Sequence, residues 1–481
     1  MTELSSARRQ LVLAICCLSL FIVGIDVTIL NVALPSIQRS LHASVSGLQW
    51  TVDAYTLVIA CLLMLSGSLA DRFGRRRVFQ TGLAIFSLGS LLCGLAPGLG
   101  WLVAFRGLQA VGGSMLNPVA MSIIVNTFTD RRERARAVGV WGSVSGVSLA
   151  LGPVLGGVLV SAAGWRSIFW INIPIGIAAI LLTQRFVPES KASHPRRLDP
   201  VAQVLIVVLL AALTYGIIEA PRHGWASPAT LGLFVLAAIA AAVFVIGELR
   251  RREPLIDVRF FRSAPFAGAS VIAVAAFGAL GGFLFLNTLY LQDVRGYTAL
   301  QAGLLTIPMA VMIAVFAPVS GRIVGRRGPR IPFLLAGPAL AIGALLLARL
   351  TTHTSVSYLL IAYVIFGIGS GLVAAPITNT AVSGMPNEQA GVAGAVASTS
   401  RQVGSSLGVA VTGSIIATSA GGGFTKASHA AWAVIAGCGI AVLATGLVST
   451  GPWARRTAAR NGERLQRSQE SEDDRSAATA R

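Results

Sequence analysis

Asp26 stands inside an apolar run, Gly24-Ile25-Asp26-Val27-Thr28-Ile29-Leu30-Asn31-Val32-Ala33-Leu34-Pro35. An ionised carboxylate in hydrocarbon costs roughly 2.5–3.5 kcal/mol on insertion scales, so one kept there faces a cavity and titrates. Asp53, Arg106 and Arg401 interrupt other apolar runs, with Gln109 one turn beyond Arg106 and Asn31 beyond Asp26 as further polar candidates for a cavity or access path. A guanidinium stays charged, and moving it relative to a desolvated carboxylate changes how tightly that carboxylate holds a proton. The chemistry on offer is therefore proton exchange at Asp26, modulated by Arg106. The competing reading is a static pair that merely neutralises two expensive charges. Asp53 is either solvated near an interface or lines an access path. Arg401 either lines a cavity or bonds the carbonyls of a broken helix.

These residues must be held by membrane helices. Of 481 residues, 54% are hydrophobic and 12% charged, against about 25% charged in soluble domains. Fourteen apolar runs can be counted, at 11–31, 49–69, 78–96, 101–124, 137–161, 167–186, 201–218, 230–247, 266–291, 299–320, 331–349, 357–378, 391–417 and 430–449. Runs of about 20 residues cross a ~30 Å hydrocarbon core as helices, and their continuity excludes a barrel. Net charge +19 is spread over short loops, not gathered in one basic domain, which argues against a nucleic-acid partner. The basic clusters at Arg8/Arg9, Arg72–Arg77, Arg131–Arg136, Arg185/Arg196/Arg197, Arg250–Arg252, Arg322–Arg330 and from Arg455 onward all fall on one side of a fourteen-span count. The positive-inside rule then makes both termini cytoplasmic. A rise of ~1.5 Å per residue puts Asp26, Asp53 and Arg106 at one level in the outer half. The five cysteines all lie in apolar runs, so neither a disulfide framework nor a metal site is expected.

The chain also repeats itself. Gly67-Ser68-Leu69-Ala70-Asp71-Arg72-Phe73-Gly74-Arg75-Arg76 recurs as Gly321–Arg330, and Glu133, Gly139 and Ser143 recur as Glu388, Gly394 and Ser398; both offsets are about 255 residues, the mark of one duplication. This divides the chain into a six-helix bundle with linker (1–199), two inserted helices with a basic linker (200–263), a second six-helix bundle (264–450) and a tail expected to be disordered (451–481). Two such bundles about an axis along the membrane normal imply alternating access to a site between them. The inserted pair reads as a lateral accessory. Gly67 and Gly74 suit a tight helix–loop–helix connection in which Asp71 docks at a helix N-terminus. Arg72, Arg75 and Arg76 would pair with carboxylates on facing spans and latch the cytoplasmic side; pure topology explains the arginines but not Asp71 or the glycine spacing. Gly152, Pro153, Gly156 and Gly157 allow close helix approach, for packing or for coupling.

Over residues 10–450 the chain resembles the major facilitator superfamily, and within it the fourteen-span drug:proton antiporters that export drugs and antibiotics. The resemblance rests on Asp26–Pro35 in the first span, Gly67–Arg77 after the second, Arg106-Gly107-Leu108-Gln109 with Gly112 and Gly113 in the fourth, and Gly152–Gly157 in the fifth, where that family carries its antiporter motif. Trp50-Thr51-Val52-Asp53-Ala54-Tyr55 is similar to the second span of antibiotic exporters. It implies an all-α membrane protein with the major facilitator fold and no enzymatic activity. It also implies an amphipathic drug or antibiotic as substrate, protons as coupling ion with no other cofactor, and a monomer among lipids in a bacterial inner membrane. One departure is that the second bundle has no deep acidic residue of the kind some exporters of multivalent cations carry. A metabolite symporter and a non-transporting receptor or scaffold are the alternatives. The Gly-Pro motif argues against the symporter; for a receptor, Asp26 and Arg106 would be unexplained costs. No P-loop is present, and a proton crossing ~150 mV supplies roughly 3.5 kcal/mol.

Overall fold

Several of the apolar runs are preceded by Ser, Thr or Asp and become helices capped by those side chains. In the computed structural model, residues 5–192, 199–251, 255–386, 389–418 and 424–479 are described, with the side chains of 131, 145, 390 and 467–479 excepted. The first bundle holds α1 (Ser6–Leu41), α2 (Val45–Phe73), α3 (Arg75–Leu95), α4 (Leu99–Thr127), α5 (Arg131–Ala163), and α6 (Ser167–Trp170) continuing into α7 (Asn172–Phe186). Then come α8 (Pro200–His223) and α9 (Pro228–Arg250). The second bundle holds α10 (Ala264–Leu289), α11 (Ala299–Leu305) continuing into α12 (Ile307–Arg327), α13 (Arg330–Leu347), α14 (Val356–Val382), α15 (Ala390–Thr418) and α16 (Phe424–Ser449), and α17 (Pro452–Thr479) follows. Ser44, Asp130, Asp199, Ser227 and Ser355 each accept a hydrogen bond from a first-turn N–H of the helix they precede, satisfying donors the helix itself leaves open. Thr298 and Gln301 form a reciprocal capping box at α11.

Among the described residues, 13 helical segments are long and apolar enough to cross a membrane. The fourteenth place in the count falls to α15, 29 residues long and rich in Gly and Ser, with Arg401 and Gln402 midway.

The duplication is visible as packing. In the first bundle α1 packs on α5 and α7, α4 on α2 and α3, and α3 on α7. In the second, α10 packs on α15 and α16, α14 on α12 and α13, and α13 on α16. Each pair has its counterpart one repeat away. Glu388, one of the residues that carry the repeat, lies outside the described residues, as do Arg196, Arg197 and Arg252 of the basic clusters.

The bundles meet where α2 packs on α15 and α5 on α11 and α12. Helix α8 lies along the first seam and bonds both sides of it. Gln203 Nε2 donates to the Cys61 carbonyl at 2.7 Å, Trp50 Nε1 donates to Glu219 at 3.2 Å, and Ser414 Oγ donates to the Ile217 carbonyl at 2.7 Å. The inserted pair therefore flanks the seam, with α9 outermost against α8.

The tail differs from the expectation of disorder: Pro452–Thr479 is helical. Burial of Ala454, Ala458 and Leu465 supplies the reason. Thr457 Oγ1 accepts from Ala264 N at 3.0 Å and Asn461 Nδ2 donates to the Arg259 carbonyl at 3.2 Å, which docks the helix beside the basic linker.

Candidate functional site

Between the bundles lies a cavity of about 2150 Å³ that opens toward the α2–α3 loop, with Asp71, Arg136 and Gln389 at that end. The opposite end is closed. There Gln49 Nε2 donates to the carbonyls of Val409 (3.2 Å) and Ala410 (2.7 Å), and Gln292 Nε2 donates to the Val32 carbonyl at 2.8 Å. The conformation is open on the loop-motif side only.

Asp26 is 1% exposed and fully engaged. Arg106 Nη1 donates to Asp26 Oδ2 at 2.6 Å, while Gln109 Nε2 (2.8 Å) and Asn172 Nδ2 (3.1 Å) donate to Oδ1. Arg106 also donates to Gln109 Oε1 at 2.8 Å and to the Thr51 carbonyl at 3.4 Å, and its guanidinium lies 4.1 Å from the centre of the Tyr55 ring. Ser90 Oγ accepts from both Asn172 and Gln109 and donates to the Phe169 carbonyl. Donors from α4 and α7 thus converge on the α1 carboxylate, α3 bonds those donors through Ser90, and α2 stacks on the counter-ion. A pair held this way is satisfied in low dielectric, so any shift between α1 and α4 breaks several bonds together. The sequence brings Asp26, Arg106 and Gln109 to notice. Asn172, Ser90 and Tyr55 were missed, because small polar residues and a tyrosine in apolar runs carry no signal without knowledge of which faces meet.

The expectation that Asp26 faces the cavity needs correction. Val23, Gly24 and Val27 line the cavity, whereas Asp26 does not and bonds within its own bundle. Asn31 is not drawn into the network either: its amide donates to the Val27 carbonyl of its own helix at 3.0 Å. Asp53, expected near a solvated interface, is wholly buried. It accepts from Thr56 Oγ1 at 3.3 Å in the seam where α2 packs on α15, with the Ser406 hydroxyl of α15 facing it. Arg401 does line the cavity, half-buried, and donates to two hydroxyls (Ser398 at 2.6 Å, Thr378 at 3.3 Å) instead of helix carbonyls.

The loop motif is organised within its own bundle. Gly74 has φ of 107° and makes the α2–α3 corner, and a Cβ there would fall 2.7 Å from a Glu189 carboxylate oxygen. Gly67 lies inside α2 with open space beside it, so the turn does not require it. Asp71 accepts from Arg75 at 2.8 Å one turn on. The anion at the α3 N-terminus is instead Glu189, which accepts from Arg76 N at 3.0 Å and faces Arg77 at 3.8 Å. Arg72 is exposed beside Phe73. Among the described residues no ion pair of this motif crosses to the second bundle, because this end of the molecule is open.

In the fifth-span motif, Gly152 and Gly156 press α5 against Thr28 and Ile29 of α1. Gly157 instead faces the second bundle, where a Cβ would fall 2.7 Å from Leu300 Cα; Gly303 of α11 returns the contact against Pro153. One motif therefore serves both bundle packing and the closed seam.

Two six-helix bundles around a central cavity, with a buried carboxylate–guanidinium pair beside it, define a membrane transporter that works between two faces. The Major Facilitator Superfamily family model matches residues 16–409, and the chain belongs to that superfamily, a multi-pass membrane transporter and not an enzyme. It is 39% identical over 400 residues to multidrug resistance protein Stp of Mycobacterium tuberculosis, covering 83% of this chain and 74% of that one. To the tetracenomycin C resistance and export protein of Streptomyces glaucescens it is 37% identical over 402 residues, with 83% and 74% covered. To the methylenomycin A resistance protein of Streptomyces coelicolor it is 37% identical over 396 residues, with 82% of each chain covered. Among solved structures, a bacterial homolog of the human lysosomal transporter Spinster, inward-facing and unoccupied, superposes with TM-score 0.62 at 20% identity over 96% of this chain and 99% of that one. A POT family transporter superposes with TM-score 0.67 at 17% identity, covering 91% and 94%. These two likenesses concern the fold.

Proposed function

We propose that this protein exports drugs or antibiotics across a bacterial cell membrane by alternating access, in exchange for protons. The single observation that carries the reading is the Asp26 carboxylate, buried in the first bundle and held by Arg106, Gln109 and Asn172. The resistance and export functions named for its relatives supply the cargo class. The cavity opens on the arginine-rich side, so by the positive-inside rule both termini are cytoplasmic and the conformation is open inward. The chain acts as a monomer in lipid, with residues 1–199 and 264–450 as the moving bundles and 200–263 as a flank.

Because Asp26 does not line the cavity, proton and substrate compete indirectly. Substrate in the cavity shifts α1 and α4, the Asp26–Arg106 contact loosens, and the carboxylate exchanges its proton on the side then open. Protonation in turn frees Arg106 for the Thr51 carbonyl and the Tyr55 face, contacts it already makes. Asp53, in the opposing seam, would be uncovered when the outer side opens.

The test uses everted vesicles with an acidic lumen and an internal pH-sensitive dye, challenged with a panel of antibiotics. Substrate-evoked loss of the pH gradient in wild type and not in Asp26→Asn is the expected result. An unchanged response in Asp26→Asn would remove Asp26 from the proton path.

A further inference from the structure

Arg401 sits about eleven residues into α15, so roughly 16 Å along the helix from the open mouth. It is a cavity-wall residue, half-buried, whose guanidinium carries five donors. Its partners are the neutral hydroxyls of Ser398 and Thr378, with the Phe277 ring centre 5.8 Å away. Among the described residues no carboxylate lies within ion-pair distance of it. Among the described residues, the acids that line the cavity are at its mouth and occupied there. Asp71 is bonded to Arg75, Glu248 accepts from Ile256 N, and Asp257 accepts from Arg259 N.

An uncompensated cation within the membrane is a cost that marks a pathway or a ligand site. Arg106, the other buried guanidinium, has a carboxylate of its own; Arg401 has none, and its remaining donors are free to meet a planar, two-oxygen acceptor in bidentate fashion. The Phe277 ring lies beside it on its own bundle, and Trp141 and Met121 line the same cavity from the other. Among the described residues Trp141 Nε1, a donor, has no partner. We propose that Arg401 is the element that selects the cargo, and that the cargo is an amphipathic organic anion: an apolar or aromatic body carrying a carboxylate or an ionised phenol. A lipophilic cation meets the same guanidinium with repulsion, and among the described residues no deep carboxylate lines the cavity to offset it. This inference rests on the export reading above and narrows it.

The test compares two probes that share one body and differ in charge, pyrenebutyrate and (pyrenylbutyl)trimethylammonium. Binding to the purified full-length protein is followed by energy transfer from tryptophan to pyrene. Wild type should bind the anion about tenfold or more tightly than the cation, as expected for one charge-assisted contact. Arg401→Ala should bring the ratio of the two affinities to about one, with Arg401→Lys retaining part of the preference. The ratio is insensitive to the fraction of folded protein, so a less stable variant still reports. Equal or tighter binding of the cation by wild type overturns the proposal, as does an unchanged ratio in Arg401→Ala. If neither probe binds while antibiotics still collapse the pH gradient in vesicles, the anion class is wrong and export stands. If no compound collapses the gradient, the export reading fails and this inference falls with it.

Discussion

Arg106 is the residue on which the first bundle's electrostatics depend. Its guanidinium is 1% exposed and bonded to Asp26, Gln109 and the Thr51 carbonyl. Removing one partner of a buried pair strands the other, at a cost of about 3–5 kcal/mol. Arg106→Ala should therefore lower the thermal unfolding temperature of the purified protein markedly. Asp26→Asn leaves the Arg106 charge buried with no counter-ion, and one amide oxygen cannot replace both carboxylate oxygens, so it should lower the unfolding temperature comparably while abolishing proton-driven efflux. Wild-type unfolding temperatures in both variants would argue that the pair is not stranded in this way. Asn172, which no sequence pattern singles out, donates to the same carboxylate oxygen as Gln109, and Asn172→Leu should weaken transport about tenfold through one lost charge-assisted bond. Wild-type turnover in that variant would show that Gln109 suffices to orient the carboxylate.

At the scale of elements, glycines separate packing from movement. Gly74 needs its positive φ, and its missing Cβ leaves room for Glu189. Forcing a side chain into that conformation costs about 1–2 kcal/mol before any clash. Gly74→Ala should reduce expression and turnover, whereas Gly67→Ala, with nothing near it, should be silent in the same vesicle assay. Loss of activity in Gly67→Ala would mean that α2 meets another surface at Gly67 in the outward-open state. Gly157 tests coupling directly, since its Cβ would strike Leu300 across the closed seam. Gly157→Ala should hold the outer side ajar, which is read as faster labelling of a cysteine at the buried α11 position Ala302 (Ala302→Cys) by an impermeant maleimide added outside intact cells, relative to Ala302→Cys alone. Labelling at the wild-type rate would assign the motif to packing alone.

For the whole molecule, α17 ties the second bundle to the basic linker. Deleting residues 452–481 removes the burial of Leu465 and the bonds from Thr457 to Ala264 and from Asn461 to Arg259. A buried Leu contributes about 1.5–3 kcal/mol and each hydrogen bond about 1 kcal/mol. The truncated protein should unfold at lower temperature in detergent; an unchanged unfolding temperature would mean that α17 docks without supporting the bundle. The flank α8 is likewise bonded to both sides of the α2–α15 seam.

Hydropathy, charge alternation and the 67/321 repeat set the helix count, the two-bundle plan and the presence of an intramembrane acid, because the bilayer punishes each misplaced polar group and so writes its requirements residue by residue. The pairing of Asp26 with Arg106 was legible too, since few charges in so apolar a chain leave few possible partners; Gln109, expected at a cavity or access path, joins that pair only in the tertiary structure. What faces what was not. Whether Asp26 points to the cavity or into its bundle, whether Asp53 is solvated or sealed in a seam, that Glu189 and not Asp71 meets the α3 N-terminus, and that Arg401 has hydroxyls but no carboxylate all depend on rotations of helices about their axes. In lipid those rotations are decided by close packing of small residues between neighbours, contacts between positions far apart in the chain that only the tertiary structure brings together.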